Sequence, residues 1–416
     1  MTNNNQHIPS GYKPSPLGII PEDWEVKRLG EVCINDGDYG LNAPATDYDE
    51  NLPTYLRITD IDDDGNFNQS DKKSVNSPLS ENYYLKDGDI VFARTGATVG
   101  KTYLYDKNNG ELVYAGFLIK FTPDKERILP YYLKSQTNTR EYANWVSITS
   151  QRSGQPGINA AEYCSYKFAL PPLAEQKRIC NLLSLWDTAI AKQTALIEQL
   201  TLRKRGLIQQ LLTGKKRLKG FEGEWKKCAI KSFAKEVSIR NTNNEGYVVL
   251  SCTKYDGLVP SLEYFGKQIY SDDLSTYKVV PKNHFVYATN HIEEGSIGYQ
   301  AHYNYGLISP MYTVFKTDKE KVNDAYLFAV LKSHHLIYLY QAMMEGSINR
   351  RGGLRWDSFS TIKVDLPSLE EQKGISAFLH NADKEIEIQK QKLAAMQEQK
   401  KGLMQVLLTG KRRIAI

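Results

Sequence analysis

The sequence predicts an α+β fold. Two globular regions of mixed, mostly antiparallel sheet are each followed by a long helix, and the two helices pair antiparallel within one chain about a pseudo-two-fold axis. Three observations carry this expectation. A segment beginning LPPLAEQKRI and ending LLTGK recurs as LPSLEEQKGI to LLTGK, and a constant shift of 196 residues superposes the copies without a gap. Within each copy the apolar residues step by three and four, the spacing of one helix face. The stretches ahead of each copy carry short β-prone runs in the same order.

Each long segment reads as a helix from its ends inward. Pro172 and Pro367 stand where proline is tolerated, in the first turn. Glutamates follow, suited to the positive end of the helix dipole. Gly214 and Gly410 close the copies, with basic residues just beyond. The apolar stripe of the first copy is Ile179, Leu183, Trp186, Ile190, Ile197, Leu200, Leu207 and Leu211. The second repeats it with Ile375, Leu379, Ala382, Ile386, Leu393, Met396, Leu403 and Leu407. About five heptads of this kind predict a coiled coil of helices about 40 residues, or roughly 60 Å, long. Two seam positions are polar in both copies, Gln193 with Gln389 and Lys204 with Lys400. Polar seam residues fix register and orientation at a cost in stability. Their matched placement predicts that the helices pack on each other, not on a second chain.

The helices divide the chain into a first region at 1–170, a helical spacer at 171–218, a second region at 219–366 and a last helical spacer at 367–416. The polar start, MTNNNQHIPSGYKPSP, predicts an extended arm. A turn and a short amphipathic element follow at 20–33 with Trp24, answered by 221–236 with Trp225. Strands are expected at Tyr55–Thr59, Asp89–Arg94, Thr102–Tyr105 and Phe117–Phe121, each bounded by turn formers. Pro130 to Trp145 changes to helical spacing. The second region repeats the order with Tyr247–Ser251, Asn283–Ala288, Tyr312–Phe315 and a helix from Asn323 to Met344. Both regions pass through a glycine-containing loop, QRSGQPGIN at 151–159 and INRRGGLRW at 348–356. A last strand, at 166–170 or 361–366, leads into the long helix.

Composition narrows the class. The 416 residues are 41% hydrophobic and 11% aromatic, enough for sizeable cores. No run of eighteen apolar residues and no signal-peptide core occur, which predicts a cytoplasmic protein. The five cysteines show no metal or disulfide spacing and read as free thiols. The net charge of +5 is uneven: residues 171–220 hold ten basic and three acidic side chains, and residues 367–416 nine and six. Basic helix ends are compatible with a nucleic-acid partner and equally with cations complementing the helix dipole.

Three stretches imitate sites. Asp60 to Asp71 carries much of a calcium-loop pattern but lacks flanking helices, so it reads as a turn between strands. Gly96 to Thr102 is one residue short of a phosphate-binding loop and leads into a strand. The seven histidines form no ligand spacing, no nucleophile elbow is present, and no NPPY- or DPPY-like methyltransferase tetrapeptide occurs. No catalytic residue, cofactor or metal is expected.

The phrases GIIPEDWEVKRLGEV, YLRITDID, GDIVFARTGATVGK, GQPGIN, LPPLAEQKRI and LLTGKKR, in this order over essentially the whole chain, resemble the specificity subunit of type I restriction–modification enzymes. The second region departs more, with VYATNHIEEGSIG in place of VFARTGATVG. The resemblance implies two target recognition domains that read the halves of a bipartite double-stranded DNA site, held apart by the antiparallel helices. It also implies two methylating subunits docked on those helices, a motor-nuclease subunit recruited through the complex, and adenine flipped into the partner's site. The chain itself would catalyse nothing. Within that reading the DNA-binding candidates are Arg94, Thr95, Lys101, Arg152, Gln155 and Asn159 in the first region. In the second they are Thr289, Asn290, His291, Arg350, Arg351 and Arg355. Arginine and lysine suit guanine edges, while glutamine and asparagine suit adenine. The alternative is a coiled-coil scaffold whose two domains bind proteins or sugars. The basic helix ends and the loop arginine, asparagine and glutamine sets favour DNA.

Overall fold

A computed structural model describes residues 8–345 and 353–414. The chain forms two compact units, Met1–Thr194 with Gln391–Ile416, and Ala195–Lys390. Each unit therefore contains half of each long helix.

In the first unit a four-stranded antiparallel sheet runs in the order Asp38–Tyr39, Leu118–Phe121, Ile90–Ala93, Thr102–Leu104. The run Ile90–Ala93 is apolar throughout because both its faces are covered. Ile90 and Phe92 join Ile119 and Phe121 in one core, while Val91 and Ala93 join Leu118 in another. Alternation by two sorts one strand into two cores. A second sheet pairs Thr54–Leu56 parallel with Leu112–Tyr114 and continues antiparallel through Lys73–Ser74 to Thr46–Asp47. Glu25–Arg28 pairs with Lys167–Leu170, so the element after Trp24 is a strand.

The second unit repeats the plan. Its sheet order is Ala234–Val237, Tyr312–Thr317, Phe285–Ala288, Ile297–Tyr299, beside a sheet of Gly257–Pro260, Val248–Thr253, Tyr305–Ile308 and Lys278–Pro281. Phe285, Tyr287 and Phe315 face one core, and Val286 and Val314 the other. Lys226–Ala229 pairs with Lys363–Leu366.

Two expected elements are cut short by polar side chains. The run from Tyr55 ends as a strand at Leu56 and tightens into a 3-10 turn at Ile58–Asp60. The Asp60 carboxylate accepts from the Arg57 backbone N–H at 2.8 Å and from its guanidinium, which turns the chain. The helix at 130–145 is two helices, Pro130–Gln136 and Arg140–Thr149. Thr137 Oγ1 donates to the Lys134 carbonyl at 2.7 Å, and Thr139 Oγ1 accepts from Tyr142 N, so these residues end one helix and cap the next. The expected helix 323–344 likewise divides into Asp324–Leu331 and His334–Glu345.

The long helices are Leu173–Leu212 and Leu369–Leu408, 40 residues each. Beyond each, Gly214 and Gly410 adopt φ of +68° and +72°. Lys216 N then reaches back to Gln210 O at 3.1 Å and Arg412 N to Val406 O at 3.0 Å, satisfying carbonyls of the last turn. In the first unit Ile179, Leu183 and Leu407 are buried, and Trp186, Ile190, Leu393, Met396 and Leu403 half-buried. In the second unit Leu211, Ile375, Leu379 and Ile386 are buried, and Ile197, Leu200 and Leu207 half-buried. Gln193 is buried and Gln389 half-buried. The lysines on the stripe have partners across the helix pair: Lys400 with Asp187 in the first unit, Lys204 with Asp383 in the second. An early residue of one helix meets a late residue of the other in both units, so the helices are antiparallel. The 196-residue shift carries each pair onto the other. Exposed ion pairs of this kind contribute up to about 1 kcal/mol each, so they mark register more than they stabilise.

The chain termini of the helices are tied down by a buried knot. Glu175, 8% exposed at its side chain, receives Arg413 at 2.6 Å and the Trp24 indole N–H at 3.0 Å. Glu371, 1% exposed, receives Arg217 through two contacts of 2.5 and 2.6 Å, and Arg217 lies over the Trp225 ring. Gln176 accepts from Leu129 N and donates to the Arg127 and Pro171 carbonyls. Gln372 does the same with Asn323, Lys321 and Pro367. The Glu-Gln of LPPLAEQ and LPSLEEQ is thus explained by packing. Arg217 and Arg413 of the basic tails are spent on these carboxylates, and that part of the positive charge is already neutralised.

One buried cation makes a pH prediction. Burial, with the nearby Lys400 ammonium, pushes Lys134 down to about 8 against the attraction of Asp62, Asp64 and Asp187. Below that pH both folded and unfolded chains hold the proton, and the folded one bears the penalty. Between about 8 and about 10.5 only the folded chain releases it, so stability rises with pH. Lys134→Met is expected to raise stability at pH 7 by about 1–3 kcal/mol, the gain fading across that window. Urea denaturation of both chains from pH 7 to 10.5 checks this; a pH-independent difference would refute it.

Candidate functional site

The two glycine-containing loops of the first unit lie side by side. Arg94 leaves the central strand and accepts at its carbonyl from Ile158 N at 2.9 Å. Thr95 bridges to Gly157, Gly96 N donates to Pro156 O at 3.0 Å, and Thr95 Oγ1 donates to the same carbonyl. This brings Arg94, Thr95, Gln155 and Asn159 onto one surface. Gln155 is exposed. Asn159 caps the helix Ala160–Cys164, its side-chain oxygen accepting from Glu162 N at 2.9 Å, which leaves its amide N–H groups outward.

The expected cations differ in freedom. Arg152 is held by both oxygens of Glu162, at 2.5 and 2.7 Å. Lys101 pairs with Asp63 at 2.7 Å and holds that carboxyl below its usual range. Arg94 has no carboxylate partner among the described residues; its guanidinium lies 5.0 Å from the centre of the Tyr39 ring. The acidic run folds as a turn: Asp62 accepts from Asp64 N and Asn66 N, Asp60 holds Arg57, and Asp71 lies near Arg57 and Lys73.

The second unit builds the same junction from different residues. Leu354 N donates to Thr289 O at 2.8 Å, matching Ile158 and Arg94. Gly353, at φ +63°, sits so close that a Cβ would lie 2.5 Å from the Thr289 carbonyl oxygen. Thr289 Oγ1 donates to Met311 O at 2.8 Å. Thr289, Asn290 and Arg355 line a surface cavity of about 420 Å³, together with Lys278, Glu236 and Trp356. Burial holds Lys278 below its usual range, and its ammonium donates to Tyr312 O. His291 is exposed beside Glu294 at 3.6 Å. With Glu293 these offer ligand atoms within 4.8 Å of one another, the one such group among the described residues. Arg350 and Arg351 lie outside the described residues.

Sequence reasoning missed Tyr39, Phe117, whose carbonyl accepts from Arg94 N at 3.0 Å, Met311 and Lys278. Tyr39 belongs to a two-residue strand, too short for any periodicity to mark. Phe117 and Met311 are 55% and 61% exposed, which no residue pattern announces.

Two equivalent loop junctions, one in each unit and each at the end of a central strand, define a protein with two matched recognition surfaces. The family model for the type I restriction modification DNA specificity domain matches residues 21–202 and again 223–398. A type I restriction enzyme specificity subunit of Methanocaldococcus jannaschii, MjaX, is 26% identical over 434 residues, covering 97% of each chain. A chain from a structure of complex assembly and conformational transition of the type I R-M system superposes with a TM-score of 0.58 at 17% identity, covering 94% of this chain and 99% of that one. The HsdS subunit from Thermoanaerobacter tengcongensis gives 0.53 at 18%, covering 94% and 98%. The chain belongs to the type I restriction modification DNA specificity family. It is a DNA sequence-specificity subunit with two recognition domains, and the scaffold reading is not favoured.

Proposed function

We propose that the junction at Arg94, Thr95, Gln155 and Asn159 reads one half of a bipartite duplex site, and the junction at Thr289, Asn290, His291 and Arg355 the other. The observation that carries this is the matched pair of hydrogen bonds, Ile158 to Arg94 and Leu354 to Thr289. They present different side chains from one backbone frame, as a reader of two different half-sites requires. Lys101 and Arg152, already paired with carboxylates, serve the loops or the phosphates before any base. The chain carries no chemistry of its own. It directs methylating subunits, two per chain, to adenine, and through the complex a motor-nuclease to the same DNA, in the cytoplasm. Methylome sequencing of a host expressing the chain with its methylating subunit tests this. A bipartite methylated motif with a fixed gap is expected; active partner without one overturns it.

The antiparallel helices set the gap. Gly206 and Gly402 have open space around them. Four residues inserted beside each lengthen the helices by about 6 Å. The gap in the methylated motif is expected to change by about one or two base pairs, at about 3.4 Å each. An unchanged gap would exclude the spacer role.

A further inference from the structure

We infer that Tyr39 is the positioning residue for a guanine-reading arginine, Arg94, in the first recognition domain; this rests on the DNA-reading role proposed above. The Arg94 backbone is fixed on both sides, its N–H donating to Phe117 O at 3.0 Å and its carbonyl accepting from Ile158 N. The side chain has no carboxylate to hold it. It has the face of Tyr39, 5.0 Å from guanidinium carbon to ring centre. Tyr39 is itself anchored. Its strand pairs with Ile119 and Lys120, and its hydroxyl oxygen accepts from Ala160 N at 3.2 Å, tying the ring to the second loop.

This arrangement suits one ligand chemistry. A guanidinium held over the face of a ring is attracted by the π cloud and restricted in rotamer, while its N–H groups remain free to donate elsewhere. Its N–H edge donates two parallel hydrogen bonds, the pattern that guanine O6 and N7 accept in the major groove. A guanidinium spent on a carboxylate, as Arg152 is on Glu162, offers less of that edge. Tyr39 is 43% exposed, so the stack lies at the surface where a duplex can reach it. The second domain places Thr289 at the matching point, with its hydroxyl given to Met311, so the device belongs to the first half-site alone.

The test uses the full chain in complex with its methylating subunits. The methylated motif and competition binding to duplexes substituted at each position of the first half-site are measured for Tyr39→Leu, Tyr39→Phe, Arg94→Ala and Arg94→Lys. Tyr39→Leu is expected to lower discrimination about two- to fivefold at the same base pair that Arg94→Ala relaxes. Tyr39→Phe, which keeps the ring, retains discrimination. Arg94→Lys keeps charge and an undisturbed Tyr39 yet relaxes that pair, so the inference stands or falls even where Tyr39→Leu does not fold. Full discrimination in Tyr39→Leu or in Arg94→Lys overturns it. So does a loss uniform over all sequences, which marks a phosphate contact. A bipartite motif with unchanged discrimination overturns this inference alone; no motif from the unaltered complex overturns the DNA-reading proposal and the inference with it.

Discussion

Arg217→Ala is expected to destabilise the second unit by about 1–3 kcal/mol, the scale of leaving one enclosed polar group, here the Glu371 carboxylate, without its partner. Glu371 is almost fully enclosed, and among the described residues its carboxylate oxygens bond only Arg217. Truncation leaves that charge without its cation. It also strips the guanidinium from the Trp225 face and its bond to the Gly223 carbonyl. Arg217→Lys recovers the charge but not the paired geometry, and lies between. Glu371→Leu added to Arg217→Ala is expected to recover much of the loss, since the penalty belongs to the stranded carboxylate. Denaturant unfolding of the full chain measures the loss, and amide exchange assigns it to the second unit. An unchanged midpoint would show that water replaces Arg217 at no cost.

Arg94→Ala is expected to cost about 1–3 kcal/mol at one base position of the first half-site, about five- to more than a hundredfold in preference. Its magnitude follows from its freedom. The guanidinium already lies over a ring and owes nothing to a carboxylate, which leaves its bidentate edge free for a base on the proposed reading. Lys101→Ala and Arg152→Ala remove cations that hold Asp63 and Glu162, and are expected to weaken binding evenly or loosen the loops instead. Binding at two salt concentrations separates these outcomes. A phosphate contact lowers the salt slope by about one, whereas a lost base contact leaves it unchanged.

The helices and central strands were legible in the sequence because burial writes a period into them. Ile179 to Leu211 repeats at helical spacing, and Ile90–Ala93 is apolar throughout because two cores claim it. The Glu175–Arg413 and Glu371–Arg217 knots were not legible. Each joins residues far apart in the chain, and a charged side chain reads as solvated until its partner is placed. The break at Thr137–Thr139 was missed for a local reason: side-chain oxygens competed with the helix for backbone groups. At the loops, residue types indicated which side chains could read a base. They could not indicate that Glu162 engages Arg152 while Tyr39 leaves Arg94 open, because that depends on neighbours in space.

The first unit is assembled from both ends of the sequence, with Met404, Leu407 and Leu408 in the same core as Trp24 and Ile90. During synthesis the first domain emerges early but waits for those late residues before its core can close. The second unit is continuous in sequence and needs nothing made after Lys390. The second unit has all its residues before the first unit has Met404, Leu407 and Leu408, so the later domain is expected to complete first. Until then the surface around Trp24 and Leu183 is uncovered, the interval in which a nascent chain of this kind is most exposed to chaperones and to aggregation.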